Sequence, residues 1–205
     1  MRPNTLTAVV NQSLAEIGEV QITNIEDDTS PSRVINSVLG QTIEEAQNLI
    51  DWSELHVRIT PSLEYIHDDT GEYYYHVPTN FVQVLMVNDI DDPLAETWRY
   101  EQQRLITNGE VESLIYKRYT EEVTEWSPDL RELTYLLLAH KISMLLTQNE
   151  NIAQMTLAKF EMRKSAIQAR AKNRARDRDE VRRFYKSNRL RTSRGGGSRR
   201  RGIFL

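Results

Sequence analysis

Residues 30–60 read SPSRVINSVLGQTIEEAQNLIDWSELHVRIT, and a change of period inside this stretch decides the fold class. Up to Ile50 the apolar side chains Val34, Ile35, Val38, Leu39, Ile43, Ala46, Leu49 and Ile50 recur at the spacing of an amphipathic helix. Ser30 is the expected N-cap and Pro31 the first helical residue, since proline there gives up an amide that would have no partner anyway. Gly40 lies inside the pattern at a cost of about 1 kcal/mol relative to Ala, which marks a close helix contact or a bend. From Trp52 the period falls to two. Leu55, Val57 and Ile59 alternate with His56, Arg58 and Thr60, as in a half-buried strand, and Pro61 ends it. Helix and strand follow one another directly, so the chain belongs to the α+β class.

Outward from this stretch the punctuation continues. Leu6, Val9, Val10, Leu14 and Ile17 form a helical stripe that Gly18 caps. Asp68, Asp69, Thr70 and Gly71 make a turn, so His67–Val77 reads as a hairpin; Phe81–Val87 is a further extended run, and Asp89–Pro93 an acidic turn. Asn108-Gly109 is the strongest hairpin signal and would join Arg104–Thr107 to Val111–Tyr119. Tyr73, Tyr74 and Tyr75 put aromatic rings on both faces of a strand, which fits an interface or a plain edge strand. Ser127-Pro128 opens a helix with apolar residues around much of its circumference, from Leu133 to Leu146, expected at the centre of the core. After a break at Gln148–Glu150, a last helix begins near Asn151, with Ile152, Met155, Leu157, Ala158 and Phe160 able to pack. The expected architecture is mainly an α-helical bundle with a small antiparallel β region at about residues 52–120, then a long C-terminal helix and an extended tail.

The net charge of −4 hides two opposed blocks. Residues 163–205 carry 16 Lys and Arg against three Asp and Glu, while everything before them carries 10 against 27. We therefore expect an acidic body, residues 1–162, and a basic arm, residues 163–205. Like charges this dense repel unless something anionic neutralises them. Arg170, Arg174, Arg178 and Arg182 recur every four residues and fall along one slowly drifting helix face. Gly195–Gly197 form a link, followed by Arg199, Arg200 and Arg201 and the apolar Ile203, Phe204 and Leu205. The apolar triplet points to docking on a protein, because a solvated tail and a DNA-binding tail have equally little use for it.

Other functions are excluded or weakened by what is missing. There is no cysteine, hence no disulfide, thiolate metal site or cysteine nucleophile. The first ten residues do not resemble a signal peptide, and the longest apolar run, Leu136–Leu146, is interrupted by His140 and Lys141 and falls short of the roughly 18 residues that cross a bilayer. A soluble protein made in a cytoplasm is expected, without membrane contact. No nucleophile elbow, phosphate loop or dinucleotide fingerprint occurs, so no enzyme, catalytic residue or cofactor is expected. His67 and His76 flank the hairpin beside Asp68 and Asp69 but lack further converging metal ligands. His56 and His140 are expected to pack. Asp89, Asp91 and Asp92 lack the glycine and distal glutamate of a Ca²⁺ loop.

Four segments carry a family resemblance: Val10-Asn11-Gln12-Ser13-Leu14-Ala15-Glu16-Ile17-Gly18-Glu19, the helix from Ser32 that ends at Asp51-Trp52, Val77-Pro78-Thr79-Asn80-Phe81, and the Ser127-Pro128 helix start. In their order and spacing, over roughly residues 5–165, the chain resembles the tail tubular protein A family, the head-to-tail adaptors of short-tailed bacteriophages. It differs at Asp51-Trp52, where Gly-Trp is expected, and in an arginine-rich end more extreme than the family's. The resemblance implies a virion protein, a ring of twelve copies between the portal and a tail nozzle of the tail tubular protein B type, enclosing a channel for DNA ejection. On that reading Arg170, Arg174, Arg178, Arg182, Arg199, Arg200 and Arg201 supply charge toward the portal, and Ile203, Phe204 and Leu205 anchor it, with contact to phage DNA in the channel as a further implication. The alternative is a sequence-indifferent nucleic-acid-binding protein acting through the arginine arm.

Overall fold

The computed structural model describes residues 5–88 and 98–193, with side chains through residue 173. The chain divides into two units that meet between Glu161 and Met162, and each is described by itself. The first holds α1 (Leu6–Ile17), α2 (Ser30–Asn48), the strands, α3 (Pro128–Thr147) and the start of α4 (Glu150–Ser193). The second holds the rest of α4. Helices and antiparallel sheets together make an α+β protein.

Local chemistry sets the helix ends. Thr5 Oγ1 accepts the Ala8 amide at 3.2 Å, and Gly18, at φ 77°, takes the left-handed conformation that closes α1 at low steric cost. The cap of α2 lies one residue earlier than expected: Thr29 Oγ1, not Ser30, accepts the Ser32 amide, at 3.3 Å. Ser127 caps α3 as expected, accepting from Leu130 at 3.2 Å. α3 ends at Gln148, which holds a left-handed φ of 52° without being glycine. Nothing lies within 4 Å of a Cβ placed on Gly40, so this glycine marks no close helix contact, and α2 runs on through it.

α3 packs against both α1 and α2. Leu130, Leu133, Leu136, Leu137, Leu138 and Ile142 are buried on several sides of it, each worth about 1.5–3 kcal/mol relative to exposure. Val9, Val10, Leu14 and Ile17 of α1 and Ile35, Leu39, Ile43 and Ala46 of α2 line the same core. The start of α4 joins through Ala153 and Phe160. Met155, Leu157 and Ala158, expected to pack, are instead exposed, because the buried face of α4 runs through 153, 156 and 160.

Between α2 and α3 the described residues form seven strands in two sheets. These strands are β1 (His56–Ile59), β2 (Leu63–Ile66), β3 (Tyr73–His76), β4 (Phe81–Val87), β5 (Trp98–Glu101), β6 (Arg104–Thr107) and β7 (Leu114–Arg118). One sheet has the order β1-β7-β4, the other β2-β3-β6-β5, and every pairing is antiparallel. They pack face to face over Tyr75, Val77, Val84, Val87, Leu105, Val111, Leu114 and Tyr116. The buried Tyr75 hydroxyl accepts the Val111 amide at 2.8 Å.

Three strand expectations are corrected. Pro61 does end β1, but a new strand, β2, starts two residues later and forms the other arm of the His67–Val77 hairpin. Asn108-Gly109 does not make a hairpin: β6 and β7 lie in different sheets, and Gly109 lacks the positive φ that a two-residue turn needs. The turn instead falls at Gln102 and Gln103, with φ of 49° and 62°, between β5 and β6. Third, β3 with its three tyrosines is an interior strand rather than an edge.

Polar contacts join the helices to the sandwich. The buried Gln47 donates to Thr120 O at 2.6 Å and accepts the Thr120 amide at 3.3 Å, and the Trp126 indole donates to the same carbonyl at 3.2 Å. Lys117 is buried with Nζ donating to Asn48 Oδ1 at 3.2 Å at the end of α2; loss of solvent pushes its pKa down, offset in part by Asp51. Trp52 donates to Ala46 O at 3.1 Å.

Candidate partner-binding surfaces

The basic helix begins with a polar cap. Asn149 Oδ1 accepts the Asn151 amide at 3.0 Å, and Glu150 sits in the first turn, where a carboxylate favours the positive end of the helix dipole. From there α4 runs unbroken to Ser193, so Arg170, Arg174, Arg178 and Arg182 all stand on helical backbone. Four residues turn a helix about 40° past a full revolution, so these positions trace a shallow spiral over about 120° of its surface. The Arg170 side chain is exposed. The side chains of Arg174, Arg178 and Arg182 lie outside the described residues, as do Arg199, Arg200, Arg201, Ile203, Phe204, Leu205 and the Gly195–Gly197 link.

A second surface was missed in the sequence. On the solvent side of the four-stranded sheet, Tyr65, Tyr74, Ile106 and Arg99 stand in one cross-strand row, and His76, Arg104 and Glu101 in the next. The Tyr65 and Tyr74 rings stack at 4.5 Å and 13°. Arg104 makes two bonds to Glu64, at 2.7 and 2.9 Å, and Arg99 grips Glu72 with its two terminal guanidinium nitrogens, the longer bond 3.0 Å. The Arg99 bonds hold the Glu72 carboxyl down to about 2, with help from the Thr70 and Tyr74 hydroxyls; Arg104 lowers Glu64 in the same way. Desolvation, then the Glu72 charge, raises the Tyr74 phenol. Beneath these side chains Ile106 is buried although it faces away from the sandwich.

The result is a platform of fixed rings and paired charges, suited to being covered by another surface. Only register brings Glu72 to Arg99, 27 residues away, or Glu64 to Arg104, 40 away. The tyrosine triplet was the visible signal. Its rings divide as strand geometry requires, Tyr75 inward under Val111 and Tyr74 outward on Tyr65.

The histidines are dispersed. His56 pairs with Asp51 at 2.6 Å beside a shallow depression lined by Arg58, Leu85, Met86 and Ile115. His67 Nδ1 accepts the Thr70 amide at 3.4 Å, closing the hairpin turn, and His76 is exposed. His140 Nδ1 lies 3.3 Å from Ala153 O; a carbonyl only accepts, so this nitrogen carries the proton and ties α3 to α4. Among the described residues no three His, Asp or Glu side chains could hold a metal ion together, and no helix is long and apolar enough to cross a membrane. Asp89, Asp91 and Asp92 lie outside the described residues.

No protein-family model matches the chain, and no curated protein matches it significantly.

Proposed function

We propose that this chain is a structural part of a short-tailed phage virion, a head-to-tail adaptor. Copies form a ring between the portal and the tail nozzle and leave a conduit for DNA ejection. In this reading α1, α2 and α3 form a bundle, the basic segment of α4 and an extended tail dock on the portal, and no catalytic step is involved. The observation that carries the proposal is the charge partition: 16 Lys and Arg against three acids from residue 163 onward, following a strongly acidic body. Opposed charges on one chain favour head-to-tail contacts, copy to copy and copy to portal. The twelvefold number comes from the resemblance alone.

Mass measurement of the purified protein mixed with portal protein tests partner and stoichiometry together, with a defined portal-bound ring expected. A variant lacking residues 195–205 should fold normally and attach poorly to filled heads; attachment as good as that of the intact chain would overturn the docking role.

One observation favours a second reading, nucleic-acid binding: the four arginine positions follow one face of α4. Duplex binding through that face would weaken steeply with salt, because each neutralised phosphate releases counterions. A flat gel-shift titration at low salt would remove this reading.

A further inference from the structure

The four-stranded sheet ends in two edges that complement one another. β2 and β5 each have a single hydrogen-bonded neighbour among the described residues. All four residues of β2 are exposed, with Leu63 at 48% and Ile66 at 46%, and on β5 Tyr100 is 42% exposed. Edge strands that stay unpaired are guarded by shortness, bulges, proline or charge, above all charge turned toward the sheet's apolar side. β2 is short and bulged at Glu64, but it has no proline and its one charge is held outward by Arg104, so Leu63 and Ile66 on its apolar side stay open.

Strand direction and side-chain rows then select the partner. β2, β3, β6 and β5 alternate in direction, so the first and last strands run oppositely. Copies repeated side by side in one orientation therefore bring β5 of one against β2 of the next as an antiparallel pair. Within one copy, Leu63, Tyr75, Leu105 and Tyr100 form one row on the sandwich side, and Ile66, Tyr73, Thr107 and Trp98 form another. Joining the edges continues both rows, laying Tyr100 beside Leu63 of the next copy and Trp98 beside its Ile66. On the outer side Arg99 comes beside the ring of Tyr65, an arrangement that favours a cation over an aromatic face.

We propose that the occupant of the β2 edge is β5 of a second copy of this chain, so that the sheet runs on from copy to copy. This rests on the reading of the chain as a ring-forming part and names the contact that would build the ring. A head-to-tail contact of this kind uses two different surfaces and can close on itself.

The chain has no cysteine, which makes the test clean. In one copy β2 and β5 stand three strand spacings apart, about 14 Å, too far for a disulfide. The full chain carrying Leu63→Cys with Tyr100→Cys, and a second carrying Tyr65→Cys with Arg99→Cys, should give a ladder of dimers, trimers and higher species on oxidation, while each single variant, whose cysteine faces no cysteine across a head-to-tail contact, should stay uncross-linked. Leu63→Lys with Ile66→Lys, both at exposed positions, should keep the circular dichroism of the parent and lower its mass in light scattering. Oligomers without a ladder from either double variant would overturn the edge pairing and leave the adaptor reading standing. Monomers at every concentration would overturn it too, with portal attachment as the separate test of that reading. A ladder from a protein that ignores the portal would uphold the pairing and sink the adaptor.

Discussion

Gln47 does at one position what the helical period cannot reveal. It lies on the buried face of α2, and its amide both donates to and accepts from the Thr120 backbone. Gln47→Ala strips the buried Thr120 amide of its partner, leaves the Thr120 carbonyl with the Trp126 indole alone, and should cost about 1–3 kcal/mol in urea unfolding. A cost within error of zero would mean that water takes over both bonds. Glu72 makes a prediction about acid. Its folded pKa of about 2, against 4.5 ordinarily, means that the unfolded chain takes up a proton first as pH falls. The contribution is therefore complete above 4.5 and is lost between 4.5 and about 2. Arg99→Gln should flatten that acid limb, seen as a smaller loss of melting temperature between neutral and acid buffer; equal acid sensitivity would contradict the pairing. Neither residue stood out in the sequence. A pattern search counts Gln47 as a polar interruption, and Glu72 acquires Arg99 only once β3, β6 and β5 are in register.

Elements whose signals are local were legible. The stripes of α1, α2 and α3 and the caps at Gly18 and Ser127 depend on residues within a turn of one another, and these helices appear where the period places them. Strand partners depend on distant residues, and there the reading failed. Asn108-Gly109 has the side chains of a tight turn, but β6 is already paired on both sides, to β3 and β5, so no edge was left for β7. The turn went to Gln102 and Gln103, which hold positive φ at a steric cost that Asn and Gly would avoid. Gln102→Asn with Gln103→Gly should therefore raise stability, by up to about 1 kcal/mol at the less favourable of the two positions. A decrease in the denaturation midpoint would show that the glutamine side chains make contacts that outweigh the backbone cost. The surface made by Tyr65, Tyr74, Arg99 and Arg104 was hidden for the same reason, being assembled from four strands.

At the scale of the whole molecule the sandwich interrupts the helices. α2 and α3 pack together although the entire β region lies between them in sequence, and β1 meets β7 through pairs such as His56 with Lys117. Closing a loop of about 60 residues costs on the order of 4 kcal/mol of chain entropy before its contacts are gained. α2 can turn helical early, but its packing against α3 spans the whole β region. The molecule thus carries its own clock: refolding of the acidic body should take milliseconds to seconds, where helices joined by short loops need microseconds to milliseconds. Stopped-flow fluorescence of a Trp98→Phe variant, which keeps Trp52 and Trp126 on either side of the inserted sandwich, would time that closure, and loss of the full signal within the mixing dead time would refute it. Until that closure the open edges of β2 and β5 stand waiting, and the speed of closure sets how often a copy meets the wrong neighbour first.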